Sequence, residues 1–424
     1  MSLKKEKHFK PKKPNMLFRT LMKLVSVPDM RKTHCSFSHV GMERLRKNER
    51  ALYLMNHSSF VDLEIVATLF YPRPFNIVAT TDGFVGKKWL MRNIGCIPTK
   101  KFVNDVSLVR DISYAINELR SNVVLFPEAG YSFDGTATVL PSSLGMLVKH
   151  LNVPVVMVKT FGAYHRDPLY NNLQRRNVKI SVTEEYLFSP DEIKTLSCDE
   201  INEKIKSEFS FDSFLWQKEN GIKVNESFRA DGLERILYKC PRCKNEGSMI
   251  GKGVKISCSS CGASYELDES GYLVSDNGKT EYDHIPSWFS WEREAVKAEI
   301  ETGNYSQSFP VDICMMVGTR KIYHVGEGTL SHSKKGFVLS GCGGELHYEQ
   351  KPLTSYTLNS DFNWYEVGDV VGIGNNEALY FCFPKDRCVS VAKLRLAAEE
   401  IYKIAKTEHD SKRECACICK TPCK

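Results

Sequence analysis

The chain has no long hydrophobic run. Nowhere in its 424 residues does it reach the ~18 to 20 apolar residues that a membrane-spanning helix needs, which excludes a helical channel or transporter. No secretory signal is visible either: the basic start is followed by a mixed stretch with no clean apolar segment and no small-residue cleavage site. No internal repeat is apparent, which excludes solenoids and propellers. Nor does one sign of charge dominate, since 58 Lys and Arg stand against 51 Asp and Glu. What remains is ordinary for a folded chain: 42% hydrophobic and 26% charged residues. The length exceeds one common core, so two to four domains are expected.

The placement of charge says more than its sum. Lys4, Lys5, Lys7, Lys10, Lys12, Lys13, Arg19, Lys23, Arg31 and Lys32 crowd the start, opposed only by Glu6 and Asp29. Such an arm attracts anionic lipid or nucleic acid, at about 1 kcal/mol per charge near an anionic bilayer. Within it, 15-NMLFRTLMKLVSVP-28 sets Leu17, Phe18, Leu21, Met22, Leu24 and Val25 on one side of a helix that Pro28 would end. That helix is too short to span. It can lie in a membrane interface or pack on its own domain, and the basic arm favours the membrane.

From about residue 45 to 190, short apolar strands alternate with amphipathic helices. Strands are predicted at 51–55, 76–80, 123–126, 153–158 and 178–182, and helices at 62–70, 86–93, 107–121 and 141–151. This is the pattern of an α/β domain with a largely parallel sheet. Residues 190–235 read as charged, helical and shallow in apolar content. Beyond 285 the chain turns strand-rich and ends in an amphipathic helix at 391–405, an architecture resembling a pleckstrin-homology-type barrel. The expected division is a basic arm and interface helix (1–34), an α/β domain (35–235), a small cysteine-paired unit (236–280), a β-rich domain closed by a helix (281–410), and a cysteine-rich tail (411–424).

The stretch 52-LYLMNHSSFVDLEIVATLF-70 puts His57 where a strand hands over to a buried helix. Ser59 and Asp62 fit a capping box, in which an acidic residue three positions on reaches back to the helix start; on that reading Asp62 is structural and His57 incidental. Three later segments weigh against so bland a reading: 95-GCIPTKKF-102, 125-LFPEAGYS-132 and 153-VPVVMV-158. In an open parallel sheet the carboxyl ends of strands converge on one edge, where sites form. His57 and Glu128 both lie just past strand ends, and Lys100 and Lys101 supply positive charge suited to a phosphate.

NHSSFVD, with its HxxxxD core, followed in order by GCIPTKK, FPEAG and VPVVMV, resembles the glycerolipid acyltransferase family over roughly residues 35–210. The resemblance implies an O-acyltransferase of phospholipid biosynthesis, carrying acyl groups from acyl-CoA or an acyl carrier protein to a lysophospholipid such as lysophosphatidic acid. It makes His57 the general base and Asp62 its orienting acid. It assigns Lys100, Lys101, Glu128 and Gly130 to acceptor binding. An alcohol is a poor nucleophile, and a neutral imidazole is the fitting base at pH 7. Backbone N–H groups near Ser58 and Ser59 are expected at the developing oxyanion. Three departures bear on the acceptor. Lys101 stands where the family has a phosphate-gripping arginine, Tyr131 replaces a second arginine, and Met157 stands in place of a proline.

240-CPRC-243 and 258-CSSCG-262 have zinc-ribbon spacing. Cys240, Cys243, Cys258 and Cys261 would close a structural zinc with no open position, which fits a reducing, cytoplasmic setting. Acidic neighbours make nucleic acid a poor partner for it. The tail cysteines 415, 417, 419 and 423 match no standard site. His165 is expected in a loop hydrogen bond, Trp288, Phe289 and Trp291 in packing, and Asp134 with Gly135 in a turn. The expected whole is a peripheral enzyme on the cytoplasmic membrane face. Its rival is a non-catalytic membrane- or nucleic-acid-binding regulator on the same scaffold.

Overall fold

The computed structural model describes residues 8–101 and 106–418, with side chains described to residue 412. Lys4, Lys5, Lys7 and the cysteines at 419 and 423 lie outside the described residues; at Cys415 and Cys417 only the backbone is described.

The chain begins with helix α1 (Met16–Lys32), strands β1 (Ser36–Val40) and β2 (Leu52–Met55), and helix α2 (Val61–Phe70). Next come β3 (Phe75–Thr80), α3 (Lys88–Asn93), β4 (Cys96–Thr99), α4 (Val106–Asn117), β5 (Asn122–Leu125) and α5 (Leu144–Leu151). The unit closes with β6 (Val155–Phe161), α6 (Ala163–Arg166), β7 (Ser181–Phe188), α7 (Pro190–Thr195), α8 (Cys198–Glu208) and α9 (Ser213–Glu219). The seven strands form one sheet in the order β1-β7-β6-β2-β5-β3-β4. Every pair is parallel except β6–β7. β2 is central and wholly buried because both faces are covered, so it reads as an unbroken apolar run. Alternate side chains divide between two cores. Tyr53 and Met55 pack with Ile65 and Phe70 of α2, while Leu52 and Leu54 pack with Ile112, Val148 and Ile201 on the other face.

Three expectations are corrected. β1 and β4 escaped notice because both are edge strands: β1 is mostly exposed, and β4 carries Pro98, which an edge tolerates. The last strand runs 181–188, not 178–182. Its alternation is disguised by Glu184, buried and bonded to His39 at 2.7 Å. Residues 190–219 are not shallow. Capping boxes at Ser189/Glu192 and Ser197/Glu200 start α7 and α8, which bury Ile193, Ile201 and Ile205 on the sheet. A Cβ on Gly145 of α5 would stand 2.3 Å from the Cys198 carbonyl oxygen, so glycine there permits the close approach to α8.

α1 also runs past Pro28 to Lys32. It buries Ser26 and Met30, yet leaves Leu17, Leu21, Leu24 and Val25 between 50% and 73% exposed. No described helix is long and apolar enough to cross a membrane.

A four-stranded antiparallel sheet follows, β8 (Met249–Lys252), β9 (Lys255–Cys258), β10 (Ser264–Leu267) and β11 (Leu273–Ser275). Helix α10 (Ile285–Glu301) leads into β12 (Ser306–Met316), β13 (Ile322–Ser333), β14 (Gly336–Gly341) and β15 (Leu346–Gln350). Then come β16 (Asn359–Trp364), β17 (Gly368–Gly374), β18 (Leu379–Pro384) and α11 (Val391–Ile418). These seven strands are antiparallel in the order β15-β14-β13-β12-β18-β17-β16. With the closing helix they make the mostly-β arrangement expected at the C-terminus. Trp288 is fully buried, its Nε1–H donating to the Lys239 carbonyl at 3.0 Å, so the aromatic cluster packs rather than faces lipid.

Glu399 of α11 ties these pieces together. Its carboxylate meets Arg293 of α10 at 2.7 Å and Arg395 at 3.3 Å, and accepts the Thr357 hydroxyl at 2.6 Å. Burial pushes its carboxyl up, but the two guanidinium groups outweigh this and hold it below 4.5. Glu399→Ala leaves buried Arg395 without its carboxylate and Arg293 with Glu400 alone at 3.0 Å, and is expected to cost about 3 to 5 kcal/mol in urea unfolding. Because the folded-state value is depressed, that difference is present above pH 4.5 and shrinks as the pH falls through the carboxylate range.

Candidate active site

Strand β2 ends at Met55 and α2 begins at Val61, leaving five residues to turn the chain. Asn56 anchors them: its amide donates to the Thr160 carbonyl at 3.1 Å and its Oδ1 accepts the Thr160 N–H at 2.8 Å. Asp62, 1% exposed, then reaches back. Its Oδ2 lies 2.9 Å from His57 Nδ1 and accepts the N–H groups of Ser58 at 2.9 Å and Ser59 at 3.3 Å. One atom of Asp62 thus meets both the start of the helix and the imidazole. The serine half of the box differs, since the Ser59 hydroxyl accepts from Val61 N–H at 3.3 Å. The expected oxyanion donors are corrected too, because the Ser58 and Ser59 N–H groups already point at Asp62.

The His57 ring lies against Phe126 and Tyr131, each 4.2 Å away between centroids. With Nδ1 on Asp62, Nε2 is the nitrogen left for chemistry, and the side chain is 22% exposed. Glu128, just past β5, is wholly buried. Its Oε2 accepts His57 N–H at 2.8 Å, and its Oε1 accepts the Thr138 N–H at 2.9 Å and hydroxyl at 3.2 Å. Burial pushes its carboxyl up, and the Thr138 and His57 donors pull against that. Ser132 N–H adds a bond to the His57 carbonyl at 3.3 Å. Ala129 holds φ +53° in the same turn, a left-handed conformation that costs a non-glycine residue roughly 1 to 2 kcal/mol. Gly130 is buried beside it.

A cavity of about 1200 Å³ opens from His57. One side is apolar, with Val78, Leu108, Val109, Leu125, Leu144 and Leu147. The other side is supplied by residues far along the chain, among them Tyr356, Asp361, Trp364 and Tyr365. Sequence reasoning gave no sign of this contribution, because no local motif marks a wall lent by a distant domain. The same domain braces the Glu128 loop. Arg395 Nη1 donates to the Tyr131 carbonyl at 3.2 Å, and the Tyr356 hydroxyl to the Pro127 carbonyl at 3.5 Å. Lys100 and Lys101 both line the cavity. Lys100 Nζ donates to the Asn376 carbonyl of the β17–β18 turn, and Lys101 is close enough to oppose the rise that burial imposes on the Asp361 carboxyl.

His165 is buried in the short helix α6, not in a loop, and bonds the Ser213 carbonyl at 2.8 Å through Nε2. Asp134 accepts from Thr136 N–H at 3.2 Å in the turn with Gly135 at φ +80°. Cys240, Cys243, Cys258 and Cys261 bring four Sγ atoms within 4.8 Å of one another. Cys240–Cys261 and Cys243–Cys258 stand at 3.7 Å. Tetrahedral Zn–S bonds of ~2.3 Å place sulfurs ~3.8 Å apart, so the donor set fits zinc.

Fold and site together place a histidine–carboxylate pair at the end of a central strand, facing a large cavity. Residues 36–159 match the family model described as Acyltransferase, and through that domain the chain is an acyltransferase enzyme. Among solved structures, it is similar to the 1-acyl-sn-glycerophosphate (LPA) acyltransferase PlsC from Thermotoga maritima, at 18% identity and a TM-score of 0.36. That likeness covers 45% of this chain and 76% of that one. No curated protein matches the chain.

Glu128→Ala orphans buried N–H donors of His57 and Thr138. Each is expected to cost about 1 to 3 kcal/mol, read as a lowered urea midpoint with unchanged slope.

Proposed function

We propose that the chain moves a fatty acyl group from an acyl thioester, on coenzyme A or acyl carrier protein, to the hydroxyl of a lysophospholipid such as lysophosphatidic acid. The observation that carries this is the His57 Nδ1–Asp62 Oδ2 contact of 2.9 Å at a cavity of about 1200 Å³. His57 Nε2 takes the acceptor proton as its oxygen attacks the thioester carbonyl. The tetrahedral oxyanion then collapses, the C–S bond breaks, and the thiolate recovers the proton from the imidazolium. Asp62 keeps Nδ1 protonated and stabilises the charged ring. Glu128 acts as a positioning residue through the His57 main chain, with Gly130 in the turn it controls. Lys101 contacts the acceptor, and Lys100 contributes charge beside it.

Membrane attachment is supported by α1, whose apolar residues face outward while Ser26 is buried. A polar residue inside and leucines outside suit a helix lying on lipid, and we assign it to the cytoplasmic face. The four ribbon thiols would hold one structural zinc, stabilising the small sheet of β8–β11 with no part in the reaction.

Two experiments test these assignments. Thiol release from acyl-coenzyme A, followed with detergent-dispersed acceptors, should require an acceptor and fall about 10²- to 10⁴-fold in His57→Ala. A flat trace with both coenzyme A and carrier-protein donors would favour the non-catalytic binding protein instead. For the ribbon, metal analysis should find one zinc per chain. Its removal by chelator, or Cys243→Ser, should lower the thermal midpoint; a metal-free chain of undiminished stability would sink the assignment.

A further inference from the structure

The acceptor side of the cavity is built by the β16–β17 hairpin. Trp364 and Tyr365 meet there with ring centroids 4.6 Å apart and planes at 78°, forming a two-walled aromatic corner on the cavity lining. Trp364 is fixed from behind by Phe381, stacked at 4.4 Å. The Tyr365 hydroxyl donates to Asp82 Oδ2 at 3.3 Å across the domain boundary. Asp82, Asp361 and Glu366 line the same part of the cavity. The hairpin holds this shape at some conformational expense, for Asn363, Tyr365 and Glu366 all adopt positive φ, between +46° and +63°. Three left-handed non-glycine residues within four positions mark a backbone held by its surroundings for a purpose.

The charges decide what fits. Three carboxylates meet two lysines, one of which donates to the Asn376 carbonyl. Burial pushes the Asp361 carboxyl up to about 6, opposed chiefly by Lys101, so at neutral pH it is mostly ionised. A phosphate dianion entering this corner would face these carboxylates with little cationic compensation, which is costly in a partly desolvated site. An ammonium group is favoured by both features, since aromatic faces and carboxylates attract cations alike.

Building on the proposed acyl transfer, we infer that the C-terminal domain supplies the acceptor-selecting wall of the active site: Trp364, Tyr365, Asp361 and Asp82 seat an ammonium-bearing headgroup, making the acceptor a zwitterionic lysophospholipid whose phosphodiester lies toward Lys101. Trp364 and Asp361 are thereby specificity-determining residues on a domain outside the matched family region.

The test compares acceptors that share one acyl chain: lysophosphatidylcholine, lysophosphatidylethanolamine and lysophosphatidic acid. In the full chain, kcat/KM is expected to be about tenfold higher for the ammonium-bearing pair than for the phosphomonoester. Trp364→Leu and Asp361→Asn should each bring that ratio toward one. Tetramethylammonium should compete with the acceptor in the wild-type protein, whereas sodium at equal ionic strength should not. This arm needs no variant to fold. Preference for lysophosphatidic acid, or a ratio unmoved by tetramethylammonium, overturns the inference and leaves acyl transfer standing. To separate the two readings, equilibrium binding of the same three lipids is measured on His57→Ala. A preference for the ammonium heads there supports the corner even if no turnover is found, and equal binding rejects it. Acylation of free choline in place of the lipids would make the source a soluble amino alcohol and overturn the lipid assignment.

Discussion

A single carboxylate oxygen, Asp62 Oδ2, accepts the His57 Nδ1–H and two backbone N–H groups. The rest of the active region is arranged around that atom. Buried anions persist when several donors hold them, and here the donors include the residue to be oriented. The first turn of α2 and the imidazole are thus one unit, and neither can shift alone. From the other side, Glu128 takes the His57 N–H while gripping Thr138. His57 is clamped through its main chain by one acid and through its ring by another. An imidazole held in this way would need little rearrangement in the proposed proton transfer.

The clamp is itself held by the far end of the chain. Arg395 donates to the Tyr131 carbonyl while anchored by Glu399, which Arg293 also meets. Phe133, next to the Glu128 turn, packs on Phe362 with ring centroids 4.4 Å apart and planes tilted by 30°. One apolar cluster runs from Phe133 and Tyr164 through Tyr265 and Trp288 to Leu394 and Ile401. A C-terminal domain that shares a core with the loop under the base acts as a wall; a loosely tethered appendage would bury far less common surface.

How much of this could be read beforehand follows from the range of each signal. The α/β alternation, the ribbon spacing and the His57–Asp62 pairing are local patterns, and all have counterparts in the structure. β4 was hidden by Pro98 and β7 by buried Glu184, because residue type alone does not tell an edge or a buried ion pair from a loop. Glu128 was legible as important, but its acceptors' occupancy was not: only the fold shows both oxygens spent on main chain and Thr138. Lys100 read as a phosphate ligand, since nothing nearby in sequence announces the Asn376 carbonyl 276 residues away. Ser58 and Ser59 read as oxyanion donors because their N–H groups sit at a helix start, and Asp62 claims them first.

Tyr131 and Lys101 take on a common setting once the wall is considered. Tyr131, standing where an arginine is usual, lies against His57 and contacts Phe60 at 5.6 Å. It trades a cation for apolar surface, and burial pushes its hydroxyl well above the ordinary phenol value, so it stays neutral. Lys101, in place of the other arginine, lies near Asp361, a partner from the C-terminal domain. Tyr131 brings no charge to this side of the cavity and Lys101 keeps one, while β16–β17 lines it with carboxylates and aromatic rings. On the proposed reading, His57 and Asp62 act on the acceptor hydroxyl alone, so the charge beyond that hydroxyl is free to be read by a wall from the C-terminal domain.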